Sequence, residues 1–137
     1  MRFLLDTNVL SELRRPTPDR KLVTWIVQNE AACAISDLII GEFTKGAYFL
    51  PDGRKREQVL QWIEEIEQQF EDRVLMLDRS VLRVWGRLCG ESEREEGRRL
   101  QVLDSLIAAT AVAHQLTVVT RNVRDFPRGV PTLCPWG

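Results

Sequence analysis

The sequence predicts an α/β protein: a single domain over residues 1–137, built as three layers, α/β/α, around a central parallel sheet of about five strands. Three observations predict it. Short, uniformly apolar stretches recur along the chain, as strands buried on both faces require. Each is followed by segments whose apolar residues fall at helical spacing. A length of 137 residues suits one core, and no repeat or linker interrupts it.

Residues 2–5 read as a short buried strand that stops at Asp6. Asp6 or Thr7 can cap a helix from Thr7 to Leu13, which Pro16 and Pro18 then break. Residues 20–29 place Leu22, Val23, Ile26 and Val27 at helical spacing. Ala31 to Ile35 is the second strand. Ser36 or Asp37 caps a helix through Leu38, Ile39, Glu42, Phe43 and Ala47, and Pro51-Asp52-Gly53 is a turn. Residues 54–70 are amphipathic, with Val59, Ile63, Ile66 and Phe70 on one face. Val74 to Leu77 is the third strand. Asp78 or Ser80 caps a helix carrying Val81, Trp85, Leu88 and Cys89, whose charged end, Glu91 to Glu96, is closed by Gly97. Residues 103–115 are apolar nearly all round, as a buried helix is. Leu116 to Thr120 is β-branched and short, a strand, and a last strand is expected near Val130 to Leu133.

Bulk composition narrows the function classes. A hydrophobic fraction of 44% and a charged fraction of 28% are those of an ordinary globular domain. No apolar stretch is long enough to span a bilayer. The start, with Arg2 and Asp6 around three apolar residues, lacks the apolar core of a signal peptide, so a cytoplasmic location is expected. Cys33, Cys89 and Cys134 are odd in number and without C-x-x-C spacing, so free thiols, buried or half-buried, are expected in place of a zinc site or disulfides. The net charge of −1 gives no overall pull on nucleic acid. Local basic clusters do occur: Arg14, Arg15, Arg20 and Lys21; Arg98 and Arg99; Arg121, Arg124 and Arg128.

Ligands of an open parallel sheet bind beyond the carboxyl ends of its strands. The first strand runs into Asp6-Thr7-Asn8, and the fourth into Thr120-Arg121-Asn122 with Asp125 close behind. Glu42 and Asp104 lie among apolar neighbours near the starts of two helices. Each acid alone has an ordinary explanation, as a helix cap, a first-turn acid or a turn residue. Together they imply more. Two carboxylates about 4 Å apart repel by roughly 4 kcal/mol at an effective dielectric near 20, and a hard divalent cation relieves this. All-oxygen ligation favours Mg²⁺ or Mn²⁺. The one histidine, His114, falls late in a helix, as a core or helix-end residue would. Gly-rich phosphate loops and G-x-S-x-G are absent, so proton abstraction is left to a metal and the carboxylates.

Four segments carry a family resemblance. They are Phe3-Leu4-Leu5-Asp6-Thr7-Asn8-Val9-Leu10-Ser11-Glu12-Leu13, Ser36-Asp37-Leu38-Ile39-Ile40-Gly41-Glu42, Leu103-Asp104-Ser105-Leu106-Ile107-Ala108-Ala109-Thr110-Ala111, and Leu116 through Phe126. In this order and spacing they resemble PIN-domain ribonucleases, specifically VapC-type toxins of toxin–antitoxin pairs with the similar FitB group. The resemblance implies a PIN-like five-stranded parallel fold. It implies Asp6, Glu42, Asp104 and Asp125 as catalytic acids, Asp6 and Asp104 as metal ligands, and Mg²⁺ as cofactor with Mn²⁺ able to substitute. Many relatives have an acid where Asn122 stands; here the fourth acid is Asp125, as in the toxin-like branch. Thr7, Asn8, Thr120 and Asn122 would support the site, while Arg121 and Arg124, with Arg14, Arg15 and Arg98 farther out, would hold RNA phosphates.

The implied reaction is hydrolysis of RNA by metal-activated water, leaving a 5′ phosphate and a 3′ hydroxyl. The implied partners are RNA, a VapB-like antitoxin and a second copy of the chain, with DNA reached only through the antitoxin. The antitoxin's tail is expected in a groove between the early helices, around Leu10, Leu13 and Trp25, and the helix at 54–70. One alternative is a PIN-fold binding module that works with such a partner in DNA-binding regulation and has little nuclease activity. Another, a phosphatase of the haloacid dehalogenase type, needs a second Asp followed by Gly-Thr where this chain has Asn8 and Val9.

Overall fold

The structure, a computed structural model, describes residues 1–137. Five parallel strands form one sheet: β1 (Phe3–Leu5), β2 (Cys33–Ser36), β3 (Val74–Leu75), β4 (Thr117–Val119) and β5 (Thr132–Leu133), in the order β3-β2-β1-β4-β5. The helices are α1 (Thr7–Arg14), α2 (Arg20–Asn29), α3 (Asp37–Phe49), α4 (Arg54–Gln69), α5 (Arg79–Glu96) and α6 (Val102–His114). This is the expected α/β/α architecture.

β1 is central because all its residues are apolar and can be covered on both faces. Phe3 meets Trp25 of α2 edge-on at 4.8 Å. Leu5, on the same face by strand alternation, shares an apolar pocket with Leu10, Leu13, Ile26, Ile66 and Phe70. α5 and α6 pack together and close the opposite face; α6 is buried from Ser105 through Ala111. The pocket corrects one detail of the anticipated groove: Leu10, Leu13 and α4 line it, but Ile26 takes the place assigned to Trp25, which turns to Phe3.

The helix starts follow side-chain chemistry. Asp6, Asp19, Ser36 and Asp78 each accept a backbone N–H at the start of α1, α2, α3 and α5. α5 ends at Gly97, whose φ of 63° is the left-handed conformation that closes a helix at low cost. Several boundaries are shorter than expected. β3 stops at Leu75, and Met76 is exposed; Glu30–Ala32 is a 3-10 turn that delays β2 to Cys33. Strand pairing with β2 sets the first limit, since only Val74 and Leu75 have partners there. Cys33 is buried and Cys89 half-buried, but Cys134 is exposed, because the chain has left β5 by that point.

Arg73 is a tie that local patterns did not reveal. Its guanidinium donates to the carbonyls of Glu30 (2.7 Å), Cys33 (2.6 Å) and Gln69 (3.1 Å), and to the Glu30 carboxylate (3.0 Å). It thereby fastens the end of α4 to the start of β2. Hydrogen bonds to a charged group contribute about 1.5–3 kcal/mol. Arg73→Met is expected to lower unfolding free energy by about 2–3 kcal/mol, read as a shifted urea midpoint with an unchanged slope.

Candidate active site

The strand order reverses direction between β1 and β4, so their carboxyl ends flank the crevice where sheets of this kind bind ligands. Asp6 follows β1 and Thr120 follows β4. Asp6 N–H donates to the carbonyl of Val119 at 2.9 Å, which holds the two strand ends together. A cleft of about 580 Å³ opens there, lined by Asp6, Glu42 and Asp104 together with Thr7, Asn8, Arg121 and Asn122. Three acids far apart in the sequence thus share one concavity.

Hydroxyl groups set the carboxylates. Thr120, fully buried, donates Oγ1–H to Asp6 Oδ2 at 2.8 Å and accepts from Asn8 Nδ2 (3.2 Å) and Asn122 N (3.0 Å). Asp6 Oδ1 accepts the Thr7 N–H at 2.8 Å, and Thr7 Oγ1 donates to Glu42 Oε1 at 2.9 Å. Asn8 Oδ1 accepts the Arg121 N–H at 3.3 Å, fixing the loop after β4. Thr120→Val removes the hydroxyl donor to the buried Asp6 and the acceptor of Asn122 N and Asn8 Nδ2, the latter keeping only its 3.4 Å bond to Asp6 Oδ2. Its expected cost is about 1–3 kcal/mol of stability, measured by chemical denaturation, with a further rise of the Asp6 carboxyl as the lowering bond is lost.

Electrostatically the acids act on one another. Asp104 is pushed up to about 6, first by burial and then by the charges of Asp6, Asp125 and Glu42. Asp6 and Glu42 are also raised above the usual carboxylate range, mainly by burial; the Thr120 and Thr7 hydroxyls partly offset this. Asp125 is exposed in the 3-10 turn Val123–Asp125 and does not line the cleft, although its charge reaches Asp6 and Asp104.

The expected cations separate similarly. Arg121 and Arg15 line the cleft, Arg15 being tied to Glu12 at 3.2 Å. Arg124 is exposed, does not line the cleft and gives its carbonyl to Arg98 at 3.0 Å, while Arg14, also outside the lining, lies over the Trp62 ring. His114 ends α6 in the open, away from the cleft lining. Gln101, which sequence reasoning passed over, also lines the cleft and caps α6: its Oε1 accepts the Asp104 N–H at 2.8 Å. Glutamine is a poor indicator of a cap, so nothing local marked it.

No three His, Cys, Asp or Glu side chains stand close enough to enclose an ion. The donor set nevertheless fits Mg²⁺, which demands oxygen and is usually held by one or two carboxylates, its own waters and substrate phosphate, without a closed protein cage. Asp6 and Asp104, in an open cleft rich in hydroxyl and amide groups, offer that arrangement.

A parallel sheet with acids gathered at the β1/β4 crevice defines a PIN-type α/β protein. The PIN domain family pattern matches residues 3–129, and the chain belongs to that family. Within it, the chain is similar along almost its whole length to toxin and ribonuclease relatives. It is 32% identical to Toxin FitB of Neisseria gonorrhoeae, covering 98% of each chain. It is 33% identical to VapC ribonuclease Y4jK of Sinorhizobium fredii, covering 98% of this chain and 97% of the relative. Among solved structures, FitAcB from Neisseria gonorrhoeae superposes with a TM-score of 0.88 at 31% identity over 98% of both chains. DNA-bound VapBC from Salmonella typhimurium superposes at 0.80, with 26% identity and 97% of both chains covered.

Proposed function

We propose that the chain is a metal-dependent endoribonuclease, the toxin component of a toxin–antitoxin module, which hydrolyses RNA phosphodiesters with Mg²⁺, or Mn²⁺ in its place. The observation that carries this reading is the convergence of Asp6, Glu42 and Asp104, from three separate parts of a PIN-family chain, on one open cleft; the Asp104 carboxyl, raised by burial and by the neighbouring acids, agrees with it. Acids from separate parts of the chain repel within one cleft, and RNA phosphates would meet them there beside Arg121.

Asp6 and Asp104 would hold the cation. When bound, it supplies charge neutralisation and Lewis acidity for phosphodiester hydrolysis. The chain's own groups do the rest. Thr120 and Thr7 fix the orientations of Asp6 and Glu42. Thr7 engages Glu42 Oε1, which leaves Oε2 to take a proton from the attacking water. Asp125 adds negative charge from the rim. Arg121 holds a phosphate at the cleft wall and Arg124 one farther out, contacts that position RNA without reading its sequence.

The two-component relatives support a VapB-like antitoxin as partner, with its tail in the apolar pocket between α1, α2 and α4. In this reading the chain pairs with a second copy, DNA is bound through the antitoxin, and the complex works in the cytoplasm. No helix is long and apolar enough to cross a membrane.

The test is incubation of the antitoxin-free chain with single-stranded RNA. Cleavage requiring Mg²⁺ or Mn²⁺, with 5′-phosphate and 3′-hydroxyl ends, is expected. Cleavage that persists in EDTA, or no cleavage with either metal, contradicts the proposal and favours a binding module.

A further inference from the structure

The C-terminal tail lies against the first turns of α2. Pro135 borders a shallow concavity of about 450 Å³ with Arg20, Lys21 and Trp25. The tail's end touches the same helix, since a Cβ at Gly137 would fall 2.6 Å from Lys21 Cδ. Between them, the Trp136 ring supports the Arg121 guanidinium, 5.8 Å from its centroid. Arg121 also lines the acid cleft. Cleft, tail and α2 therefore form one continuous surface.

The charges on this surface are free. Arg20, Lys21 and Arg121 are exposed, and none enters an ion pair. The neighbouring Asp19 carboxylate is occupied as the α2 cap, accepting from Leu22 N at 3.0 Å. Trp25 is held in place by its edge contact with Phe3. Unpaired cations following a path, with fixed aromatic groups between them, are what single-stranded nucleic acid binds: cations track phosphates and bases stack on rings. In a chain of net charge −1, this pattern is a local complement to a polyanion and does not reflect general basicity.

We propose that Arg20, Lys21 and Trp25 of α2, joined to the cleft through Trp136 and Arg121, seat the RNA strand on one side of the scissile phosphate. The proposal rests on the ribonuclease reading. It makes α2 and the tail a substrate surface, leaving the pocket between α1, α2 and α4 to a protein partner.

The experiment measures anisotropy of a labelled single-stranded RNA 12-mer with the full chain, in EDTA to prevent cleavage, across a range of salt. Two phosphate contacts to a single strand contribute about 1.4 to the slope of log Kd on log salt. Arg20→Ala/Lys21→Ala is expected to remove that much of the slope and weaken binding severalfold. Arg54→Ala/Lys55→Ala, the same residue pair in the first turn of α4, is expected to change neither. With Mg²⁺ present, the KM penalty of Arg20→Ala/Lys21→Ala should grow with substrate length while kcat stays the same. If the wild type binds and cleaves RNA but Arg20→Ala/Lys21→Ala matches the α4 control, this surface is not the RNA seat and the ribonuclease reading stands. If the wild type neither binds nor cleaves RNA, both fall.

Discussion

Asp104→Asn is expected to make the metal-free protein harder to melt and nearly inert as a nuclease. Asp104 titrates near 6 in the folded protein against an ordinary 3.8. A folded-state value above the unfolded one means that the folded protein holds the proton more tightly. Stability therefore falls as pH rises from about 4 through about 6, and the full penalty stands at higher pH. Asparagine keeps the shape and removes the charge. The group is partly open to water, so screening reduces the gain to the order of 1 kcal/mol, or roughly 4 °C in Tm for a domain of this size. Melting in EDTA near pH 7.5 and again near pH 5 checks the sign: the variant should gain at the higher pH and little at the lower. RNA cleavage should fall about 10³-fold, because a ligand that supplies several kcal/mol of transition-state stabilisation is lost. A variant that melts lower than wild type at both pH values, or keeps its activity, contradicts the electrostatic account.

The second large effect is expected from the cation. A ligand that binds only the folded state stabilises it by about 2.7 kcal/mol at a hundred times its Kd. Mg²⁺ should therefore raise the Tm of the wild type near pH 7.5. Asp104 is raised to about 6 and Asp6 is raised as well, so protons compete with the cation for the Asp104 carboxylate as pH falls through about 6. Most of the stabilisation should vanish near pH 5. It should vanish at both pH values in Asp6→Asn/Asp104→Asn. Equal stabilisation of wild type and double variant would place the ion elsewhere.

The fold was legible in the sequence wherever periodicity and buried strands coincide. β1 is wholly apolar, β2 and β4 carry one hydroxyl residue each among apolar ones, and the helices between them carry clear spacing. Asp6 and Thr120 could be placed beforehand because ligand sites in parallel sheets lie at strand ends. Glu42 and Asp104 stood out as acids among apolar neighbours. What the sequence hid depends on contacts between distant segments. Arg73 binds carbonyls some forty residues away, and no local pattern signals that. Gln101 is a cap in geometry but not in residue type. Ser11 and Glu12 enter the cleft wall only because α1 runs along it, whereas Arg15, expected among the phosphate-holding cations, does line it. Asp125, the fourth acid of the expected set, is left by the turn after β4 outside the cleft lining, from where its charge still raises Asp104. Trp25 was expected at the apolar groove, but it packs edge-on against Phe3 and Ile26 lines the groove in its place.

A crystal grown in Mn²⁺ and measured at the manganese absorption edge tests the central claim most directly. An anomalous peak about 2.1 Å from carboxylate oxygens of both Asp6 and Asp104 is the predicted result. No peak between these carboxylates, at a manganese concentration that supports cleavage, would contradict it.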